Sequence, residues 1–156
     1  MDHQTKMALI DQCPNYQIVP QLRADMDAFL QRNAAVEASV AGISFANQPK
    51  HNVVMLRGKL PIKLQSKVRT IGFKFLIPSQ YPFVPPYVYL DEPVNQSVIE
   101  MIDYIEGNNR IKNDFITKWS QRQNDADWRG KLNLNGLLYE VYQLYSKAPP
   151  LSFEEM

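Results

Sequence analysis

The chain has a single cysteine, Cys13, so no internal disulfide can form and a reducing compartment is the simpler setting. Its two histidines, His3 and His51, stand far apart and make no cluster with metal-ligand spacing. None of its six glycines belongs to a phosphate-cradling loop. No metal or cofactor is therefore expected. No apolar run approaches the ~20 residues that a membrane-spanning helix needs. Met1 to Lys6, followed by a short apolar patch from Met7 to Ile10, does not read as a signal peptide. The expected setting is the cytoplasm, without direct membrane insertion. Blocks of like charge are missing too: 17 Lys+Arg stand against 16 Asp+Glu, and the net charge is +1. Nothing in that balance favours nucleic acid or an anionic membrane as partner.

What the chain does have is material for a core. At 156 residues it is a natural single domain, able to bury about 70% of its unfolded surface. Seven Phe, eight Tyr and two Trp supply large side chains. Leu22, Met26, Phe29 and Leu30 recur at helical spacing and predict an amphipathic helix over Gln21–Asn33, with Pro20 suited to its first turn. A shorter helix is expected around Thr5–Gln12, stopping before Pro14. The period then changes. Val53–Leu56 is a β-type run. From Val68 to Ile77, the residues Ile71, Phe73, Phe75 and Ile77 share one face, with Gly72 and Lys74 on the other. Tyr87–Leu90 is a further short strand, closed by Glu92-Pro93. Ser97–Ile105 reads as helix or loop. Gln121–Lys131 reads as an exposed polar loop in which Trp128 is out of keeping and Asp125 and Asp127 are solvated. Leu134, Leu137, Leu138, Val141 and Tyr145 form a last helical stripe, with Asn133 as N-cap and Lys147 at the negative end. Pro149-Pro150 forbid its continuation. The layout is α+β: an antiparallel meander sheet of three or four strands packed against helices.

Five segments carry a family resemblance. Leu56-Arg57-Gly58-Lys59-Leu60-Pro61-Ile62 holds a Leu-x-Gly-x-x-Pro signature, and Tyr81-Pro82-Phe83-Val84-Pro85-Pro86 a proline-locked aromatic turn. Trp119 follows, then Leu134–Leu138 containing Gly136, then Pro149-Pro150-Leu151. In this order and spacing they resemble the ubiquitin-conjugating-enzyme variant (UEV) domains of the endosomal-sorting type, the family of the ESCRT-I tumour-susceptibility subunit. The resemblance implies a ubiquitin-conjugating-enzyme-like fold without the last two C-terminal helices. It covers residues 16–153, taken as one UEV-like domain, with 1–15 an N-terminal extension or short helix and 154–156 a tail. The chain is expected to be a segment of a longer protein.

The resemblance implies binding rather than catalysis. A conjugating enzyme needs a thiolate nucleophile and an oxyanion-steadying Asn in a His-Pro-Asn segment. Counting back from Trp119, the cysteine position falls near Lys112, and Glu106-Gly107-Asn108-Asn109 supplies no His-Pro-Asn. Cys13 lies outside the region that builds the site. Family members hold a Pro-(Ser/Thr)-Ala-Pro motif in a groove, for which extended polyproline-like peptide is well suited. The aligned positions here are Leu64, Arg69, Thr70, Pro149, Leu151, Ser152 and Phe153. Leu64 and Arg69 replace two tyrosines that wall the family's groove, and Ser152 replaces a phenylalanine, so specificity is expected to differ. The ubiquitin-binding positions of the family align with Ser44, Phe45, Ala46, Asn47, Leu76 and Tyr89. Leu76 lies off the Ile71/Phe73/Phe75 face and is expected to be exposed there.

The implied partners are ubiquitin or ubiquitylated cargo and proline-containing short motifs, with other sorting-complex subunits reached through regions outside this chain. The implied place is peripheral to endosomes. Two alternatives share part of the signature. One is a heterodimerising variant that partners an active conjugating enzyme, against which the Gly-x-x-Pro signature and Pro-Pro ending speak. The other is an RWD-type interaction domain, which shares Tyr81, Pro82 and Pro86 but favours a long unbroken last helix.

Overall fold

Residues 1–44 and 49–152 are described in the computed structural model. Four antiparallel strands lie side by side in chain order: β1 Glu37–Ile43, β2 His51–Lys63, β3 Val68–Leu76 and β4 Tyr87–Leu90. This is the expected meander. The strand least visible in sequence is β1, where Ser39, Ala41 and Gly42 dilute the apolar alternation.

Register explains which side chains meet. One row across the sheet is Ala38–Leu56–Phe75–Val88, and the next pairs Gly58 with Phe73 and Phe73 with Leu90. Their apolar members are buried, as are Ile71 and Ile77. Period-2 alternation puts them all on one face, and a sheet with one apolar face must cover it. Helix α2, Val19–Arg32, does so with Leu22, Met26, Phe29 and Leu30, all buried, and Phe29 sets its ring 6.0 Å from that of Phe75. Helix α5, Leu134–Lys147, packs against α2 and β2 and buries Leu134, Leu137, Leu138, Val141 and Tyr145. Each fully buried Leu or Val contributes about 1.5–3 kcal/mol relative to exposure. The two stripes therefore outweigh the weak intrinsic propensity of either helix.

The ends are set locally. Asn133 caps α5 by accepting from the Gly136 N–H at 2.8 Å, the expected N-cap. Asn33 ends α2 by donating its Nδ2 to the Phe29 carbonyl at 2.8 Å. Helix α1, His3–Ala8, and a 3-10 turn at Leu9–Gln12 occupy the place of the expected short helix. The ammonium of Lys6 is drawn inside, donating to the Ala34 and Val36 carbonyls at 2.8 and 2.6 Å. This pins α1 to the start of β1.

The crossing from β4 to α5 holds α3, Gln96–Glu100, and α4, Asp114–Lys118, with 3-10 turns at Gly107–Asn109 and Ser120–Arg122. The ambiguous stretch 97–105 is thus a short helix followed by turns. Trp128 corrects the reading of 121–131 as plain exposed loop. It is half-buried and stacks on Phe115, with ring centroids 5.4 Å apart and planes 21° apart. The polar loop is held down by one large aromatic contact. Among the described residues no helix is long and apolar enough to cross a membrane, and no group of His, Cys, Asp or Glu is placed to hold a metal ion.

Candidate functional site

The aromatic turn and Trp119, 37 residues apart in sequence, lock together. The Trp119 indole donates to the Pro82 carbonyl at 2.6 Å, Gln123 Nε2 donates to the same oxygen at 2.9 Å, and Ser120 Oγ donates to the Phe83 carbonyl at 2.7 Å. The Tyr81–Pro82 peptide is cis. Tyr81 is fully buried against Trp119, with its hydroxyl donating to Asp25 Oδ2 at 2.5 Å. Burial raises the Asp25 carboxyl above the usual range, against the lowering effect of that hydrogen bond. The lock fixes the crossing that carries Lys112, the residue expected at the degenerate catalytic position.

That position lies on a small hairpin at the β4 edge of the sheet. Ile111 N–H donates to the Val88 carbonyl at 2.8 Å, Arg110 bridges Tyr89, and Ile105 bridges Ile111. Asn108 and Asn109 make the turn with φ of 64° and 62°, a left-handed pair that asparagine tolerates better than most residues. Lys112 is exposed and places Nζ 3.2 Å from Glu106 Oε1, itself exposed. No acyl-carrying sulfur stands there. Cys13 follows a turn that packs on β1 and β2, at the other side of the sheet. It is 2% exposed, its Sγ lies 3.6 Å from the Leu9 carbonyl, and burial pushes its thiol up to about 11. A thiol so placed is scarcely ionised near neutrality.

The predicted peptide residues that are described fall at two places, the β2–β3 turn and the tail after α5. Leu64 and Arg69, both half-buried, flank the β2–β3 turn, which closes through Leu64 N–H to the Lys67 carbonyl at 2.8 Å; Thr70 is exposed on β3. Pro149 and Ser152 are half-buried and Leu151 is buried in the tail after α5. Tyr145 donates its hydroxyl to the Gly72 carbonyl at 2.8 Å, two residues from Thr70. Tyr104 donates to the Ala148 carbonyl at 2.6 Å and holds the root of the tail. Burial raises both phenols well above their ordinary value, so they stay protonated donors. Phe153 lies outside the described residues.

Of the predicted ubiquitin residues, Leu76 and Tyr89 lie on the outer face of the sheet. Phe45, Ala46 and Asn47 lie outside the described residues, and Ser44 is exposed at the end of β1. Leu76 requires a correction: it does point away from the core face, yet it is only 9% exposed. Its cross-strand partners are Met55 on one side and Tyr87 on the other, and both shade it. Tyr89 is half-buried under Lys74, whose Nζ stands 4.9 Å from the ring centroid, and Arg110 lies 4.6 Å over Tyr87. The outer face thus offers an apolar row, Met55–Leu76–Tyr87, flanked by cations on aromatic rings. Ser44, just past the end of β1, is one strand and five residues from Met55, the near end of that row, a span of roughly 17 Å. Met55 and Tyr87 were not legible as surface residues, because only strand register sets them beside Leu76. A polar cavity of about 360 Å³ adjoins the row between Tyr89, Asp91, Glu92 and the Asn108–Asn109 turn.

Residues 9–153 match the family model of the UEV domain. No curated protein matches the chain significantly. Among solved structures, the fold is similar to the yeast Vps23 UEV domain in complex with a Vps27 PSDP peptide. That match has a TM-score of 0.71 at 16% identity and covers 92% of each chain. It is also similar to Vps23 UEV in a complex with ubiquitin, with a TM-score of 0.65 at 17% identity over 89% of each chain.

Proposed function

The chain belongs to the UEV-domain family, catalytically inactive variants of the ubiquitin-conjugating fold, and from that premise we propose a non-catalytic adaptor of the endosomal-sorting type. It holds ubiquitin on ubiquitylated cargo and a proline-containing short motif, working in the cytoplasm at the periphery of endosomes. Residues 16–153 act as the binding unit, 1–15 as an extension of it and 154–156 as a tail. The observation that carries the reading is the apolar Met55–Leu76–Tyr87 row on the outer face, ringed by Lys74 and Arg110. An apolar strip of this size with a cationic rim suits a small, transient interface rather than a permanent one. Lys112 occupies the place of the nucleophile, and its ion pair with Glu106 leaves an exposed amine that forms no thioester.

The ubiquitin surface is Ser44, Phe45, Ala46 and Asn47 together with Met55, Tyr87 and Tyr89, with Leu76 acting mainly as the support beneath them. The proline motif lies against Leu64, Arg69, Thr70, Pro149, Leu151, Ser152 and Phe153. With leucine and arginine in place of ring walls, the groove reads the motif by aliphatic contact and by charge. The end of α5 at Lys147, two residues before Pro149-Pro150, fits this reading better than the long last helix of an RWD domain.

A titration with unlabelled ubiquitin, followed by amide NMR of the labelled chain, tests the cargo role. Shifts are expected at Ser44, Met55, Tyr87 and Tyr89, and the Met55→Asp variant is expected to lose them. An unchanged spectrum at millimolar ubiquitin refutes it. An array of proline-containing tetrapeptides tests the motif, with Leu64→Tyr plus Arg69→Tyr expected to shift preference toward Pro-(Ser/Thr)-Ala-Pro. Incubation with activated ubiquitin is expected to give no thiol-dependent adduct.

A further inference from the structure

Strand β2 is longer than the strand beside it. β1 begins at Glu37 opposite Arg57, so Gly58–Lys63 have no strand on that side. The direction of their backbone groups follows from Val54, whose carbonyl accepts from Ile77 N–H and whose N–H meets the Tyr16 hydroxyl that also bonds the Ile77 carbonyl. Val54 therefore faces β3. Direction alternates along an antiparallel strand, so Lys59, Pro61 and Lys63 face the open edge. Lys59 and Lys63 present both N–H and C=O there. Pro61 presents only its carbonyl, and its missing N–H costs the β2–β3 ladder nothing.

A groove follows this edge. Two adjoining cavities of about 450 and 270 Å³ share Asn33, Leu60 and Leu138. Leu60 has the parity of the core face, and beyond it α5 offers Tyr139 and Tyr142, exposed by 59% and 39%. The opposite, outer-face parity carries Arg57, Lys59 and Lys63, and Arg32 stands at the groove's end. Arg57 is paired with Asp91 at 2.8 Å. Among the described residues, Lys59, Lys63 and Arg32 have no acidic partner. Glu37 is the other acid on the groove wall.

We propose that this edge receives an extended acidic peptide by strand addition, one in which apolar residues alternate with Asp or Glu. Alternation follows from the pleat: in an added strand, every second side chain turns toward Leu60, Leu138 and Tyr142, and the others turn to the face of Lys59 and Lys63. The charge follows from the two unpaired ammonium groups. A second copy of this chain is a poor occupant, because pairing two such edges brings Lys59 and Lys63 against their own kind. The site shares no residue with the ubiquitin row or the proline-motif set, although Lys63 adjoins Leu64 and Pro61 pairs with Thr70, and it does not depend on either assignment.

Amide NMR of the full chain with a short acetylated peptide of alternating Val and Glu tests the proposal. The expected result is shifts at Lys59, Leu60 and Lys63, with slowed hydrogen exchange at the Lys59 and Lys63 amides as they gain partners. Lys59→Glu plus Lys63→Glu is expected to weaken binding about tenfold, from two exposed charge contacts. Both side chains are exposed, so this variant should keep the parent's urea midpoint. Tyr142→Ala should weaken binding while leaving those amides able to respond. The proposal is overturned by equal binding of the peptide with Lys for Glu, by unchanged exchange at Lys59 and Lys63, or by shifts confined to Thr70 and Leu151. It is overturned as well if those amides are protected in a dimer without peptide, or if a single-stranded oligonucleotide displaces the peptide from them.

Discussion

Gly72 is where β3, the exit from β4 and the last helix meet. Its carbonyl accepts from the Tyr145 hydroxyl at 2.8 Å and from Asp91 N–H at 3.1 Å, and its own N–H donates to Glu92 Oε1 at 2.9 Å. A β-carbon built there falls inside the van der Waals shell of the Asp91 carbonyl oxygen, with the carbonyl carbon 3.1 Å away. Those are main-chain atoms, so Gly72→Ala is relieved only by moving the end of β4. Overpacking of this kind costs about 1–3 kcal/mol. Moving Asp91 also strains its own N–H bond to the Gly72 carbonyl, the acceptor that Tyr145 shares, and loss of that bond costs about 1–3 kcal/mol. Against this stands a gain of about 0.4–1 kcal/mol from stiffening the unfolded chain. The expected net loss is about 3 kcal/mol, a large share of the 5–15 kcal/mol typical of a domain. At a urea m-value of about 2 kcal/mol/M the midpoint falls by roughly 1.5 M, read by far-UV circular dichroism and by tryptophan fluorescence. Tyr145→Phe alone should cost about 1 kcal/mol. Since both changes act on one carbonyl, the double variant should lose less than the two losses combined. A midpoint for Gly72→Ala equal to the parent's, or strict additivity with Tyr145→Phe, refutes the reasoning.

Asp25 is held above its ordinary pKa of 3.8 by burial, so the folded state binds its proton more tightly than the unfolded chain. Its contribution is complete below the unfolded value and is lost as pH rises through the folded one. The stability of Asp25→Asn relative to the parent should therefore grow as pH rises above about 4 in urea titrations; a constant or shrinking difference counts against the assignment. Cys13, with its thiol pushed up to about 11, should react with a disulfide reagent only as fast as the chain opens, and prompt labelling of the folded chain would contradict its burial. Lys6→Met leaves the Ala34 and Val36 carbonyls without their donor, and should cost about 2 kcal/mol and speed hydrogen exchange across His3–Ala8. Exchange in α1 that stays at the parent's rate would show that the ammonium does not pin it.

The parts of this fold legible in sequence are those with dense, one-sided apolar patterning. Ile71, Phe73, Phe75 and Ile77 announce β3, and Leu134 to Tyr145 announce α5, because each buried side chain repeats at the period of its own element. β1 hides because its face is built from Ala38 and Val40 between Ser39, Ala41 and Gly42. Its identity as a strand comes from pairing with β2, a contact that local composition does not encode. Trp128 misleads for a related reason. Its polar neighbours describe solvent, while its ring answers to Phe115, 13 positions earlier in the sequence.

The candidate site follows the same division. Its lack of catalytic chemistry is legible through the family motifs, because the UEV family they point to consists of catalytically inactive variants. Its positive surface is not, because that surface is made by adjacency across strands. Leu76 comes from the family resemblance and its expected exposure from parity, which reports the face of a residue and says nothing of its neighbours. Met55 and Tyr87 come from other strands and cover it. A face of mixed Met, Tyr and Lys side chains carries no periodic mark of its own, since each strand contributes one or two positions to it. The edge beyond Arg57 is hidden in the same way. The β-type run legible in sequence stops at Leu56, whereas β2 continues through Gly58 and Pro61 to Lys63, and only the late start of β1 leaves that part with an open side. For a binding module on this scaffold, what is held is therefore settled less by motifs than by where one strand outruns the next and which side chains that leaves uncovered.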